Sequence, residues 1–190
     1  QVAASRGILC VTAAGNENGG PWNHIVTPAD ADSILAVGAV TNEGTIVGFS
    51  SRGPTADGRI KPDVCAMGAD VYNANADSTN GYQLWSGTSL ATPIVAGIVA
   101  LIMEAHPDWT AQMVRTAMLN TASNHDTPNY DYGWGIVDAV AATDYLFESA
   151  DEPRASVPSS ALLISAYPNP FNATTTLRIS LPFESRGTLA

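Results

Sequence analysis

The 190-residue sequence predicts an α/β domain with a mostly parallel sheet flanked by helices, followed by a truncated all-β module. Two short apolar runs, residues 8–12 and 34–40, show no polar alternation. Such runs are typical of strands buried on both faces of a parallel sheet. A long apolar helix is predicted over residues 89–105, which fits the helical layer of an α/β domain. Residues 174–181 instead alternate polar and apolar side chains, as half-buried antiparallel strands do.

Loop-forming sequences separate the strands of the α/β domain. Segments containing Gly, Asn or Pro follow the first two strands, at residues 15–21, 42–44 and 50–58. Residues 62–66 form a shorter third predicted strand. Residues 71–72 and 82–85 are expected to pair as a hairpin around the polar segment between them.

Two helices are predicted after the hairpin. The first, over residues 89–105, has Glu104 as its only charged residue, and a helix that is apolar on nearly all sides belongs in a protein interior. Pro93 is compatible only with the first turn of this helix. The longest apolar run in the helix is ten residues, about half of the ~20 needed to cross a bilayer, so we predict no transmembrane segment. Thr110 is expected to cap the second helix.

The charge and the cysteines exclude two classes of function. The net charge is −10 with only 14% charged residues, so the chain has no electrostatic attraction for phosphates and no nucleic-acid partner is expected. Cys10 and Cys65 lie outside any CxxC or Cys/His cluster, so zinc is not indicated. Their spacing is compatible with two free buried thiols and also with one disulfide bond between them.

The composition divides the chain into three parts. Residues 1–147 carry the α/β pattern, and residues 148–161 are rich in Pro, Ser and charge, as linkers are. Residues 162–190 are expected to begin a second, all-β domain. Because Gln1 is not an initiator residue, and the chain stops just after a strand-like run, we expect the chain to be an internal piece of a longer protein.

Two segments carry residues suited to chemistry. In residues 86–93, Ser89 lies at the N-terminus of the apolar helix, where free N–H groups and a positive partial charge favour a developing oxyanion. A serine there suits nucleophilic attack on a carbonyl, although a plain helix cap would have the same sequence. Asn16 follows the first strand, where α/β proteins form ligand sites, and its amide can donate to an oxyanion; an Asn in a turn is the simpler interpretation.

Four blocks in fixed order give the sequence a family resemblance. They are Ala-Ala-Gly-Asn at 13–16, Phe-Ser-Ser-Arg-Gly-Pro at 49–54, Gly-Thr-Ser-Leu-Ala-Thr-Pro at 87–93 and Tyr-Gly-Trp-Gly-Ile-Val-Asp-Ala at 132–139. Together they resemble the C-terminal half of the catalytic domain of the subtilisin-like serine proteases, the subtilases (peptidase family S8). The resemblance covers residues 1–147.

The resemblance implies a role for each of five residues. Ser89 would be the nucleophile, and Asn16 would be the oxyanion donor alongside the Ser89 backbone N–H. Ala13, Ala14 and Gly15 would form one wall of the substrate pocket, mostly through their backbone. The chain would then belong to a serine endopeptidase acting on proteins or peptides.

The family's catalytic Asp and His are not found in this sequence. They lie in Asp-Ser/Thr-Gly and His-Gly-Thr motifs upstream of the matched blocks, and neither motif occurs here. His24, His106 and His125 lack the family's sequence context, so we expect this chain alone to be inactive. The chemistry requires no cofactor. Family members often bind structural calcium. Asp30 and Asp32 are close to each other in the sequence, but they are typical of a solvated acidic turn, so we assign no metal ligands.

The C-terminal part has a resemblance of its own. The string Tyr-Pro-Asn-Pro-Phe-Asn at 167–172, followed by the strand-like run, resembles the opening of sorting or Ig-like β-sandwich modules on bacterial secreted enzymes. It implies a secreted or cell-surface protein whose C-terminal module engages secretion machinery. Two alternatives stay open: a non-catalytic binding module with the subtilase fold, and a surface adhesion protein.

Overall fold

The computed structural model describes residues 2–18, 20, 24–25 and 27–147, together with the backbone of two strands at 163–167 and 176–180. The chain divides into two compact units, Gln1–Leu146 and Phe147–Ala190, which are described separately below.

A parallel sheet organises the first unit. It consists of β1 (Val11–Ala13), β2 (Leu35–Val40) and β3 (Val64–Met67), with β2 in the centre. All six residues of β2 are buried, as the uniform apolar run predicts. The first strand differs from the prediction: β1 begins three residues later and is only half-buried. The reason is that β1 lies at the edge of the described sheet, where it has a strand neighbour on one side only.

The predicted hairpin and helices follow the sheet. β4 (Val71–Ala74) and β5 (Tyr82–Trp85) pair antiparallel, and α1 (Thr88–Ala105), α2 (Ala111–Thr121) and α3 (Ala139–Thr143) complete the unit. The predicted cap of α2 is confirmed, because the Thr110 hydroxyl accepts the Met113 N–H at 3.2 Å.

Helix α1 departs from the prediction in two ways. It packs against all three sheet strands through one face only: Ala91, Val95, Val99 and Ile102 are buried, whereas Leu101 is 61% exposed. Pro93 is the sixth helical residue rather than part of the first turn, so it cannot donate the helical hydrogen bond to the carbonyl four residues earlier. Among the described residues, α1 alone is long and apolar enough to cross a membrane. In the first unit, α1 packs on the sheet through its buried face.

A buried ionic network lies where β3 begins. The Asp63 carboxylate, 1% exposed, accepts the Ala36 N–H at 2.7 Å and the Arg115 guanidinium at 2.7 Å, and it also binds the Lys61 ammonium. Lys61 is 2% exposed, and its burial lowers the pKa of the ammonium group. This network, which joins β2 and α2 to the entry of β3, was not predicted from the sequence.

The second unit contains one described strand pair. β6 (Leu163–Tyr167) and β7 (Thr176–Ser180) pair antiparallel, with Ala166 opposite Leu177. The strand predicted over residues 174–181 corresponds to β7. The predicted linker at 148–161 and the prolines of the C-terminal motif lie outside the described residues, so a sorting or Ig-like module stays a prediction.

Candidate active site

The turn after β1 positions Asn16. Gly15 adopts a φ of +110°, a backbone conformation that L side chains rarely adopt. A Cβ on Gly15 would also lie 2.8 Å from the Ser51 hydroxyl oxygen, so both the conformation and the space require glycine. Asn16 lies just after the C-terminal end of the parallel strand β1, at the edge of the sheet where α/β proteins bind ligands.

The start of α1 brings Ser89 to Asn16. Gly87 is fixed by its N–H bond to the Gly68 carbonyl at 2.7 Å, and Ser89 is the second, exposed residue of the helix. The point where a Cβ on Gly87 would lie is 3.1 Å from the Ser89 hydroxyl oxygen and 3.5 Å from the Asn16 amide nitrogen. The fold thus brings together the two residues that the sequence placed 73 positions apart.

Thr88 fixes the orientation of the Asn16 amide. The Asn16 Oδ1 accepts the Thr88 backbone N–H at 3.0 Å and the Thr88 hydroxyl at 2.9 Å. Because the oxygen is fully engaged, the amide nitrogen is the group left to donate toward Ser89. Thr88 is 1% exposed. This role of Thr88 was not predicted from the sequence, although the residue belongs to the Gly-Thr-Ser block at 87–89.

Ala13, Ala14 and Gly15 lie on the same turn, but many of their groups are already engaged. The Ala14 side chain is 2% exposed, and its N–H donates to the Val37 carbonyl at 2.9 Å. The Gly15 N–H donates to the Thr88 hydroxyl at 3.3 Å, and its carbonyl accepts the Ser51 N–H at 2.8 Å. Their role as a wall of the substrate pocket stays a prediction.

Comparison with known proteins decides the family. The profile of the Subtilase family matches residues 1–135. The chain belongs to the subtilase family. The resemblance predicted from the four blocks is therefore confirmed, as is the subtilisin-like α/β fold of the first unit.

This subtilase chain has curated and structural relatives. It is 39% identical over 141 residues to subtilisin DY of Bacillus licheniformis, covering 74% of the chain and 48% of that protein. It is 35% identical over 158 residues to serine protease AprX of Bacillus subtilis (strain 168), covering 72% of the chain and 35% of that protein. Among solved structures, the prenylagaramide maturation protease PagA matches with a TM-score of 0.65 and 29% identity, covering 77% of the chain and 54% of PagA. The chain spans about half or less of the length of the two curated relatives.

The histidines of the subtilase chain are not bonded to the Ser89 hydroxyl. His106 follows the last residue of α1, about 25 Å along the helix from Ser89 at 1.5 Å per residue. It binds the Thr143 carbonyl at 2.6 Å. His125 binds the Ala122 carbonyl at 3.0 Å, and His24 is exposed. Within the part of the chain that the structure describes, Ser89 has no histidine partner.

Two acidic side chains between residues 27 and 59 of the subtilase chain already have protein partners. Asp32 is paired with Arg59, and Asp30 accepts the Thr27 hydroxyl at 3.0 Å. The described residues contain no group of three or more His, Cys, Asp or Glu that could bind a metal ion. Both cysteines are free thiols, and burial raises the pKa of Cys65 to about 12.

Proposed function

We propose that the protein containing this chain is a serine endopeptidase that hydrolyses peptide bonds through an acyl-enzyme on Ser89. One observation carries the proposal. The Ser89 hydroxyl oxygen and the Asn16 amide nitrogen lie 3.1 and 3.5 Å from the same point beside Gly87, at the start of a helix. A nucleophile and a fixed donor that face one small space suit attack on a carbonyl followed by binding of its oxyanion.

In the proposed reaction, the Ser89 hydroxyl oxygen attacks the scissile carbonyl carbon and gives its proton to a general base. The carbonyl oxygen becomes an oxyanion, which accepts hydrogen bonds from the Asn16 amide and the Ser89 backbone N–H. The latter is one of the N–H groups at the helix start that have no partner within the helix. Collapse of this intermediate expels the amine, which takes the proton from the base, and water then hydrolyses the ester.

The general base and its orienting carboxylate are proposed to come from His and Asp residues upstream of this chain in the complete protein. This part of the proposal rests on the described histidines, none of which is hydrogen-bonded to Ser89, and on the absence of the family's two upstream motifs from the sequence. The substrates are proteins or peptides. Secretion, with the C-terminal module engaging the export machinery, is proposed from the motif at 167–172 alone.

A fluorophosphonate probe, which phosphonylates activated serines, tests the proposal in the complete natural protein. We expect wild type to be labelled and Ser89→Ala to be unlabelled, with loss of peptide hydrolysis. Ser86→Ala is the matched control, because Ser86 lies three residues away and its hydroxyl binds the Asp70 N–H at 2.9 Å. Equal labelling of wild type and Ser89→Ala would refute the role of Ser89. An unlabelled, folded wild type would favour the binding-module alternative.

A further inference from the structure

Ser51 holds the main chain on both sides of Asn16. Its N–H donates to the Gly15 carbonyl at 2.8 Å, and its hydroxyl oxygen accepts the Glu17 N–H at 3.0 Å. Ser51 is 7% exposed, and its bond to the Glu17 N–H is part-buried, so both bonds are partly shielded from water. One serine therefore bonds to the residue before Asn16 and to the residue after it.

The segment that carries Ser51 makes further bonds to the same turn. The Asn18 N–H donates to the Phe49 carbonyl at 3.2 Å, and the Asn18 side-chain amide donates to the Gly48 carbonyl at 2.9 Å. Asn18 is exposed, so these two bonds compete with water, whereas those of Ser51 do so far less. Within this segment, Ser51 is the residue best placed to fix the turn.

We infer that Ser51 is a positioning residue for the Asn16 amide, an inference that rests on the proposed function. Thr88 fixes the rotation of the amide, but it cannot fix the Asn16 Cα, which depends on the turn. An oxyanion donor acts only when it is held within about 0.5 Å of its productive position. The Ser51 hydroxyl supplies this restraint by holding the Glu17 N–H, and the Ser51 N–H holds the other side of the turn.

The neighbouring Ser50 provides a matched control. It is 0% exposed, and its hydroxyl oxygen accepts the Ala39 N–H at 3.0 Å, the same type of bond at the same length. Ala39 lies in β2 and has no hydrogen bond with the Asn16 turn among the described contacts. Replacing either serine by alanine removes one buried acceptor, but only Ser51→Ala releases the turn.

The test compares four variants of the complete natural protein: Ser51→Ala, Ser50→Ala, Asn16→Ala and the Asn16→Ala/Ser51→Ala double variant. Peptide hydrolysis is measured per active site, with active sites counted by fluorophosphonate titration so that unfolded protein does not contribute. For Ser51→Ala we expect kcat to fall about 5- to 10-fold, from the ~1 kcal/mol net value of a hydrogen bond. The KM should change less than about twofold, because the affected interaction forms in the transition state. Ser50→Ala should keep kcat within about twofold of wild type.

The double variant separates positioning from a general structural effect. If Ser51 acts through Asn16, its replacement should change kcat by less than about twofold once the amide is gone. The inference is overturned if Ser51→Ala leaves kcat unchanged, if Ser50→Ala lowers kcat equally, or if Ser51→Ala lowers kcat by the same factor with and without the Asn16 amide. A wild-type protein that neither hydrolyses peptides nor reacts with the probe would refute the proposed function instead, and the inference with it.

Discussion

Replacing Asp63 should strongly destabilise the α/β unit. Asp63→Ala removes the carboxylate that binds the Lys61 ammonium, the Arg115 guanidinium and the Ala36 N–H. Two cations would then lie beside each other without an anion, one of them 2% exposed. Breaking a buried ion pair in this way costs about 3–5 kcal/mol.

Urea unfolding of the complete protein, monitored by circular dichroism, measures the loss of stability. With a loss of about 4 kcal/mol and an m-value of about 2 kcal/mol/M, the unfolding midpoint should fall by about 2 M. Lys61→Met is the matched control: it removes one of two cations and leaves Asp63 paired with Arg115. We expect this variant to lose clearly less stability than Asp63→Ala, because no buried charge is left without a partner.

Two results would refute this reasoning. A midpoint for Asp63→Ala within about 0.5 M of wild type would show that the network does not stabilise the fold. A loss for Lys61→Met as large as that for Asp63→Ala would show that the carboxylate depends on the Lys61 ammonium and that Arg115 alone does not balance its charge.

Three further predictions follow from individual contacts. Because burial raises the pKa of Cys65 to about 12, iodoacetamide at pH 8 should alkylate half-buried Cys10 in the native protein and Cys65 only after unfolding; equal rates by mass spectrometry would contradict this. The hydrogen bond from Arg59 lowers the pKa of Asp57 from 3.8 to about 2, so its stabilising contribution is present above pH 3.8 and is lost as the pH falls through 2. Arg59→Gln should move the midpoint of the Asp57 carboxyl back toward 3.8 by NMR, and an unmoved midpoint would exclude Arg59 as the cause. Thr88→Val should lower kcat about 5- to 10-fold while Thr88→Ser keeps it, and an equal loss in both would rule out an effect of the hydroxyl.

Local sequence patterns correctly predicted the central strand β2 and the start of helix α2. The uniform apolar run of β2 corresponds to a fully buried central strand, and the Thr110 cap begins α2 as expected. The sequence predicted an entirely buried α1, but the described chain covers only one of its faces. Apolar composition predicts which faces of a helix favour burial. Which segments pack on those faces depends on residues far away in the sequence.

The candidate site shows the same limit. Ser89 and Asn16 could be identified from their motifs, because residue type and spacing carry the resemblance to the subtilases. The roles of Thr88 and Ser51 could not be predicted, since each depends on which partner its hydroxyl meets: the Asn16 amide in one case and the Glu17 N–H in the other. A hydroxyl can donate to or accept from many groups, so the sequence around it does not predict its hydrogen-bond partner.

The sequence by itself determined the family, the α/β class of the first unit and the two residues proposed for chemistry, because these follow from hydrophobic periodicity and from ordered motifs. Only the tertiary structure decided that the buried Asp63 carboxylate joins β2 to α2. It also decided that Thr88 holds the Asn16 side chain and that Ser51 holds the main chain on both sides of Asn16. These contacts join residues 27 to 72 positions apart. Their existence depends on the register of the parallel sheet and on the docking of α1, which no local stretch of sequence encodes.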